Sequence, residues 1–394
     1  MGFVKEKMLE LEGRNISSIP DKNVCVKHVE DKALKKFIRK NYSLGYCDYC
    51  QKHVKVVSLE NLLKFIMEGV SNFYEDAANF MSYNSREGGY LGETYTPDEL
   101  IQELIGLETD PFELTEDIVN SIDNIAWSEP DMYYDTEIDE LMYQWEYFKK
   151  IVKHTSRFLF LSKSGNLDHE NATKILKEVG KLLPKLGLIK KIEKGRTLFR
   201  ARQHKSSYKI DNIEQIVSPP TEYAIYPNRF SPSGIPMLYT AFDKETAIVE
   251  TIDIKNKKGN KTTIAEFVLN KDIYVIDFSR LPKIPSIFGI TNIKRYYLIT
   301  FIYSLVKDMT KSVEKDGKEH IEYIPTQVIT EYFRFPFNRN RKNKIEGIIY
   351  NSSKDKGKIA SVFFWNNKES VEFLKLKNFF LKSQFFQKNL LYRT

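Results

Sequence analysis

The apolar residues of this chain change their spacing near Pro184–Gly187, and that change limits the fold more than any other feature. Before it they recur at helical intervals. Leu62, Leu63, Phe65, Ile66, Val70, Phe73, Ala77 and Phe80 predict a helix over residues 59–84 with Ser58 as its cap. Thr96-Pro97-Asp98-Glu99 opens a second helix, with proline at the first helical position and acids in the first turn. Thr115-Glu116-Asp117 opens a third, residues 137–161 read as a fourth, and 166–183 as a fifth that Pro184 ends. Beyond Gly187 the apolar runs shorten to strand length, at 198–202, 237–241, 263–269, 273–278, 345–350 and 359–365. Helical stretches at 243–250, 293–309 and 323–335 separate them. The expectation is a multidomain protein: an all-α N-terminal domain with a metal knuckle, then an α+β domain. A knuckle segment 1–56 and a helical part 57–185 together form the first, and residues 186–394 the second. At 394 residues the chain is too long for one ordinary core. The tail after Asn366 mixes lysine with Phe379-Phe380 and Phe385-Phe386, and is expected to pack on the body or on a partner.

With 42% apolar and 29% charged residues, wholesale disorder is excluded. No apolar run approaches the ~20 residues of a membrane span; the longest, 296–306, has about half that. The start Met1-Gly2-Phe3-Val4-Lys5-Glu6 is charged and has no apolar signal core. Glu6 also stands where a myristoylation signal needs Ser or Thr. A cytoplasmic chain with no membrane partner is expected.

Charge is divided unevenly. The whole chain carries 60 Lys+Arg against 53 Asp+Glu, a net +7, yet between Arg86 and Phe148 eighteen acids face a single base. The remainder is therefore strongly basic. The acidic stretch reads as solvated helix faces, or as a surface that docks on the basic remainder or a basic partner. The basic surplus suits nucleic acid or a small polyanion such as a dinucleotide. Arg339-Asn-Arg341-Lys342-Asn-Lys344 precedes an apolar strand pattern and reads as a solvated loop.

All three cysteines fall in the first fifty residues, as Cys25-Val-Lys-His28 and Cys47-Asp-Tyr-Cys50. Two such pairs make a Cys3His set, which suits tetrahedral Zn2+. An odd number of thiols in a reducing compartment argues against a disulfide. Unrelated thiols are the plainer alternative, and His53 competes with His28 as the fourth ligand. Four protein ligands leave no open position, so the expected zinc is structural and holds a segment too short to build its own core.

Common nucleotide and nucleophile motifs are missing. No G-x-G-x-x-G follows a strand, Gly259-Asn-Lys-Thr lacks the earlier glycine of a phosphate loop, and no serine sits in a G-x-S-x-G elbow. None of the six histidines belongs to a triad, and no Arg stands four to six residues ahead of a His in the helical half, as a HEPN-type ribonuclease needs.

Three separated segments say more. The first is Leu198-Phe199-Arg200-Ala201-Arg202, a strand ending in cations. The second runs from Asn228-Arg229-Phe230-Ser231-Pro232-Ser233-Gly234 through Met237-Leu238-Tyr239-Thr240-Ala241 to Asp243 and Glu250. The third is Glu346-Gly347-Ile348-Ile349-Tyr350-Asn351-Ser352-Ser353. In this order they resemble the RES family over about residues 196–365. Arg200, Arg229, Tyr239, Glu250 and Ser352 fall on the family's pattern positions. The chain departs from that pattern in a long Arg200–Arg229 gap, which leaves Tyr208, Tyr223 or Tyr226 as an unassigned loop tyrosine. Ser231 stands where Asn is common, and Ser353 competes with Ser352. Tyr323-Ile-Pro-Thr-Gln327-Val-Ile-Thr-Glu331 is similar to longer RES proteins, and the Cys/His region with its helices resembles the HEPN/RES-type domain placed ahead of RES in some of them.

The resemblance implies an ADP-ribosyltransferase-like fold and an activity that consumes NAD as substrate, by hydrolysis or phosphorolysis. It also implies a toxin or phage-defence effector restrained by an antitoxin. Arg200, Glu250 and Ser352 would be catalytic, with Arg229 and Tyr239 binding substrate. The chemistry of these residues agrees. The nicotinamide–ribose bond breaks through an oxocarbenium-like state, as glycosides do. Two arginines can hold a pyrophosphate, a carboxylate can face the cationic carbon, and Tyr and Ser can bind ribose or ring. Asp243 can cap a short helix whose Ala247 and Glu250 share a face, whereas Glu245 turns elsewhere. Each residue also has a plainer use: an Arg200–Glu250 ion pair, a core Tyr239, a turn at Ser352, a surface Arg229. Two further functions stay open, an ADP-ribosyltransferase acting on protein or nucleic acid and a non-enzymatic nucleic-acid-binding protein. The helical half would sense a trigger, bind an inhibitor or drive homo-oligomer assembly.

Overall fold

The computed structural model describes residues 2–130, 139–158, 167–251, 260–290, 293–313 and 317–382. Two compact units emerge, residues 1–139 with 284–297 and residues 140–283 with 298–394.

The first unit begins with helix α1 (Gly2–Glu12) and then forms an antiparallel sheet of β1 (Asn23–Cys25), β2 (Ser43–Cys47) and β3 (Lys52–Ser58), in the order β1-β3-β2. This corrects the all-α expectation for the N-terminal domain. The Cys47-x2-Cys50 turn folds β2 and β3 into a hairpin, and the β-branched run Val54-Lys-Val56-Val57 divides between two faces. Val54 and Val56 pack with Cys25 and Cys47, while Val57 joins the main core. Helix α2 (Lys32–Lys40) starts at Asp31, whose carboxylate accepts from the N–H groups of Ala33 and Leu34. Ser58 caps α3 (Leu59–Val70) as expected, but that helix does not reach residue 84. The Asn72 side-chain amide donates to the carbonyls of Glu68 and Gly69, closing the last turn. The chain then pairs Glu75–Asp76 with Trp127–Ser128. Thr96 and Glu99 form a reciprocal capping box, but the turn they start is a short π-helical stretch, Glu99–Leu104. Helix α4 (Phe112–Asn120) begins three residues before the expected start. Leu34, Ile38, Leu62, Leu63, Ile66, Leu114 and Trp127 belong to one core, so the knuckle segment packs as a single body with helices α2, α3 and α4.

The second unit contains α5 (Asp139–His154), α6 (Leu167–Lys185), β4 (Ile189–Ile192), β5 (Thr197–Lys205), β6 (Leu238–Ala241), α7 (Lys244–Thr251), β7 (Asn260–Leu269), β8 (Ile273–Asp277), α8 (Ile293–Thr310), α9 (Ile324–Arg334), β9 (Ile345–Asn351), β10 (Ile359–Phe363), α10 (Asn367–Phe373) and β11 (Leu374–Lys382); α8 begins in the first unit's 284–297 segment. Its eight strands run β11-β7-β5-β6-β10-β9-β8-β4, a mixed sheet in which β8 and β9 pair in parallel. Leu198, Leu238, Phe267, Val275, Phe363 and Trp365 fill the main core. A smaller cluster of Ala201, Ala241, Ala247, Ile248 and Ile264 seats α7 on the sheet.

All six expected strands form. The tail packs on the body as β11, which pairs with β7 along 262–269; Phe385-Phe386 lies outside the described residues, as do the ends of the helix read over 137–161 and the first residue of the one read over 166–183. Pro184 sits within the last turn of α6. The sequence puts the domain border at 185/186, whereas α5 and α6 group with the second unit. Trp145 Nε1 donates to Asp308 at 2.9 Å, Lys149 pairs with the same carboxylate, and Lys153 pairs with Glu322 at 2.8 Å. Gly180 lets α6 pass Tyr332, whose hydroxyl would lie 2.6 Å from a Cβ there. Among the described residues, no helix is long and apolar enough to cross a membrane.

Candidate functional site

In the first unit the ligand atoms of Cys25, His28, Cys47 and Cys50 all lie within 4.8 Å of one another. The Cys25 and Cys50 sulfurs are 3.9 Å apart, near the edge of a tetrahedron with metal–sulfur bonds of ~2.3 Å. His28 is buried, and its Nδ1 bonds to the Asp110 carbonyl. A carbonyl only accepts, so the proton resides on Nδ1 and the lone pair on Nε2. That Nε2 is shut off from solvent and has no hydrogen-bond partner among the described residues, the arrangement of a metal-binding histidine oriented by its other nitrogen. His53 is exposed on β3 opposite Tyr46 and stands outside the set. Burial pushes the Cys25 thiol up to about 11. At Cys47 burial acts the same way, but backbone N–H groups of Cys50, Tyr49 and Cys25 aim at the sulfur and bring its pKa below the usual thiol value. The four residues can therefore hold a metal ion. Tyr49, inside the second pair, donates to Asp117 on α4 at 2.7 Å, and Lys22 reaches that carboxylate at 2.6 Å. Burial and then Asp117 hold Tyr49 neutral.

The five residues of the second constellation all belong to the second unit. Arg200 comes from β5 and Tyr239 from the neighbouring β6, and Arg200 Nη1 donates to the Tyr239 carbonyl at 2.7 Å. Burial, with help from Arg202, draws the Arg200 guanidinium down to about 10, so it stays charged near neutrality. Its Nε is buried and has no hydrogen-bond partner among the described residues. The Tyr239 hydroxyl accepts from the Phe230 N–H at 3.2 Å and shares a 3.0 Å hydrogen bond with Ser231. Burial raises it to about 12.

Arg229 projects from that same loop. Its Nη1 donates to the carbonyls of Met309 and Lys311 at the C-terminal end of α8, and its Nη2 reaches Ser353 Oγ at 3.4 Å. It is more than a surface cation: it caps a helix.

Asp243 starts α7 as expected, accepting the Thr246 N–H at 2.8 Å, and buried Ala247 brings the helix onto the sheet. Glu250 then sits in its last turn. Ser352, buried just after β9, donates to Glu250 Oε1 at 2.5 Å and accepts the N–H groups of Lys354 and Asp355. Lys354 returns to the Glu250 carbonyl at 2.6 Å. Both serines are thus in use, Ser352 on Glu250 and exposed Ser353 on Arg229. Gly347 earlier in the strand is required by packing, because a Cβ there would come within 2.5 Å of the Val362 carbonyl on β10.

Glu250 meets Ser352, and Arg229 meets Ser353. Tyr239 joins Arg200 to the Arg229 loop. Among the described residues no hydrogen bond or ion pair joins Arg200 to Glu250; their connection is the packing of α7 on β5. Tyr350 stands in the third sequence segment but is not among the expected site residues. This buried tyrosine packs on Phe230 at 4.9 Å, and its pKa is raised well above the ordinary value by burial first and by the charge of Glu250 next. Its spacing from Ser352 was the available signal, since residues two apart on a strand share a face. Tyr208, Tyr223 and Tyr226 are all exposed. A cavity of about 380 Å³ lies elsewhere, in the first unit among Arg14, Met67, Ser71 and Trp127, and includes no residue of either group.

Residues 40–166 match the family model described as HEPN/RES N-terminal domain 1, and residues 197–377 the one described as RES domain. Among solved structures, the crystal structure of the M. tuberculosis MbcT–MbcA toxin–antitoxin complex is similar at 13% identity, over 51% of this chain and 92% of that one, with a TM-score of 0.29. No curated protein matches the sequence.

Proposed function

We propose, from the premise that this chain belongs to the RES-domain family and carries a HEPN/RES N-terminal domain ahead of it, an enzyme that cleaves the nicotinamide–ribose bond of NAD. The observation that carries this reading is the buried Ser352 hydroxyl on Glu250, with Tyr350 packed beside them. As the C–N bond breaks, its electron pair leaves with nicotinamide, which departs neutral, and positive charge develops at the ribose carbon. Glu250 stabilises that charge, held in orientation by Ser352. Arg200 and Arg229 bind the pyrophosphate, and Tyr239 holds ribose or ring. Water then adds to the carbon and gives up a proton, leaving ADP-ribose; phosphate as acceptor leaves the phosphorylated sugar. On the same reading the second unit has an ADP-ribosyltransferase-like fold, the Cys3His set holds a structural zinc, and an antitoxin protein restrains a toxic activity.

The test is incubation of purified protein with NAD, with and without phosphate, and identification of products by mass spectrometry. Free nicotinamide with ADP-ribose or its phosphate is expected. Adducts on protein or nucleic acid in place of free ADP-ribose would assign the site to transfer. Intact NAD under every condition would overturn the reading.

A further inference from the structure

Gln327 lies on α9 and is only 7% exposed. A primary amide that deep needs acceptors for both N–H groups. Its Nε2 donates to the carbonyl of Asn228 at 2.8 Å and to that of Ser231 at 3.3 Å. Those carbonyls stand on either side of Arg229 in sequence, and the Asn228 N–H closes the same loop onto the Ser231 carbonyl at 2.8 Å. Tyr323, four residues earlier and so on the same helical face, lies 5.9 Å below the Arg229 guanidinium. One face of α9 therefore grips both the base and the tip of the loop. Ser231, inside the grip, carries the hydroxyl that bonds Tyr239.

We propose that Gln327 is a positioning residue for Arg229, fixing the two flanking peptide carbonyls and thereby where the guanidinium meets an anionic substrate. This rests on the NAD-consuming reading for its substrate, not for its geometry. The chemistry selects glutamine. Two carbonyls facing one buried point need an uncharged double donor; a carboxylate would repel them, and asparagine is one methylene short.

Gln327→Met keeps length and volume but removes both donors. The Michaelis constant for NAD should rise about tenfold, equivalent to ~1.4 kcal/mol, while kcat changes much less, the signature of lost ground-state binding. Amide exchange in the peptide containing Asn228–Ser231 should accelerate with the melting temperature nearly unchanged. In an Arg229→Ala background the same substitution should add less than twofold, because the two residues act through one contact. Effects that simply multiply in the double variant, or unchanged loop exchange in the single one, overturn the proposal. If Gln327→Met fails to fold, Gln327→Asn carries the cycle, with a smaller rise expected. If the unaltered protein leaves NAD intact, the enzymatic reading falls first, and the exchange measurement still decides whether Gln327 sets the loop.

Discussion

The Cys/His knuckle and the Glu250–Ser352 cluster are both polar groups buried against a sheet, and they are completed differently. In the knuckle, three sulfurs and the bare Nε2 of His28 point at one another, and that nitrogen finds no hydrogen-bond partner among the described residues. Around Glu250 the bonds close within the chain. Ser352 and Lys354 hold the end of α7, Arg229 caps α8, and Arg200 grips the Tyr239 carbonyl. The first arrangement can hold a cation, and on the proposed reading a zinc ion stabilises it. The second is held mostly by hydrogen bonds within the chain, and on the proposed reading it keeps its groups in place for a ligand that comes and goes.

The largest effect should follow from attacking the knuckle. Elemental analysis should find one zinc per chain. A strong chelator or Cys47→Ser should lower the melting transition of the first unit by roughly 10–20 °C, since several kcal/mol of metal binding are folding energy. The second unit's transition should stay where it was. A Cys47→Ser protein that keeps both metal and melting temperature would erase the contrast.

Glu250→Gln tests the other half. Glutamine preserves size and an acceptor for Ser352, so the fold should survive within a few degrees. Nicotinamide release should fall by about 10²–10³, the usual loss when a transition-state charge partner is removed. Ser352→Ala should do less to turnover, on the order of tenfold. It should cost more stability than Glu250→Gln, about 1–3 kcal/mol, because the N–H groups of Lys354 and Asp355 lose their acceptor. Turnover and thermal melting on the same preparations separate the two effects.

What could be read beforehand follows the range of the interactions. The six inner strands of the second unit's sheet were visible because a short apolar run is a local signal. The edge strands were not: Ile189–Ile192 holds two central lysines, and Leu374–Lys382 mixes lysine with phenylalanine in a way that also suits a tail. In the first half the cysteine spacing was legible, but the hairpin it folds was hidden by the helical pattern after it. The end of α3 is held by the side chains of Ser71 and Asn72 binding backward. The grouping of α5 and α6 with the second unit draws on pairs such as Trp145–Asp308 and Gly180–Tyr332, each more than 150 residues apart in sequence, and no period reveals such pairs. At the site, Glu250 and Ser352 could be named from motif order; Tyr350 and Gln327 stand inside the segments that carry the resemblance, but motif order does not encode what they touch, Phe230 and the carbonyls of Asn228 and Ser231.

The smallest effect should come from that Asp308 cluster, a control in which everything is already satisfied. Burial alone would raise the Asp308 pKa, but hydrogen bonds from Lys149 and Trp145 outweigh it and hold the carboxyl below its ordinary value. A carboxylate depressed in the folded state contributes its stability above the unfolded value of ~3.9 and loses it as pH falls through the folded value. The second unit should therefore hold steady from neutral to mildly acid pH, and Trp145 fluorescence should change only below that range. Asp308→Asn keeps an acceptor for Trp145 and removes the charge. It should lower melting by about 2–4 °C, equivalent to ~1 kcal/mol, and flatten the acid limb. Metal content should not move. Turnover should stay within about twofold although Met309, the next residue, gives its carbonyl to Arg229. A drop as large as that of Glu250→Gln would mean that the α8 terminus belongs to the catalytic apparatus, and the line between a self-contained cluster and one kept ready for a ligand would have to be redrawn through Arg229.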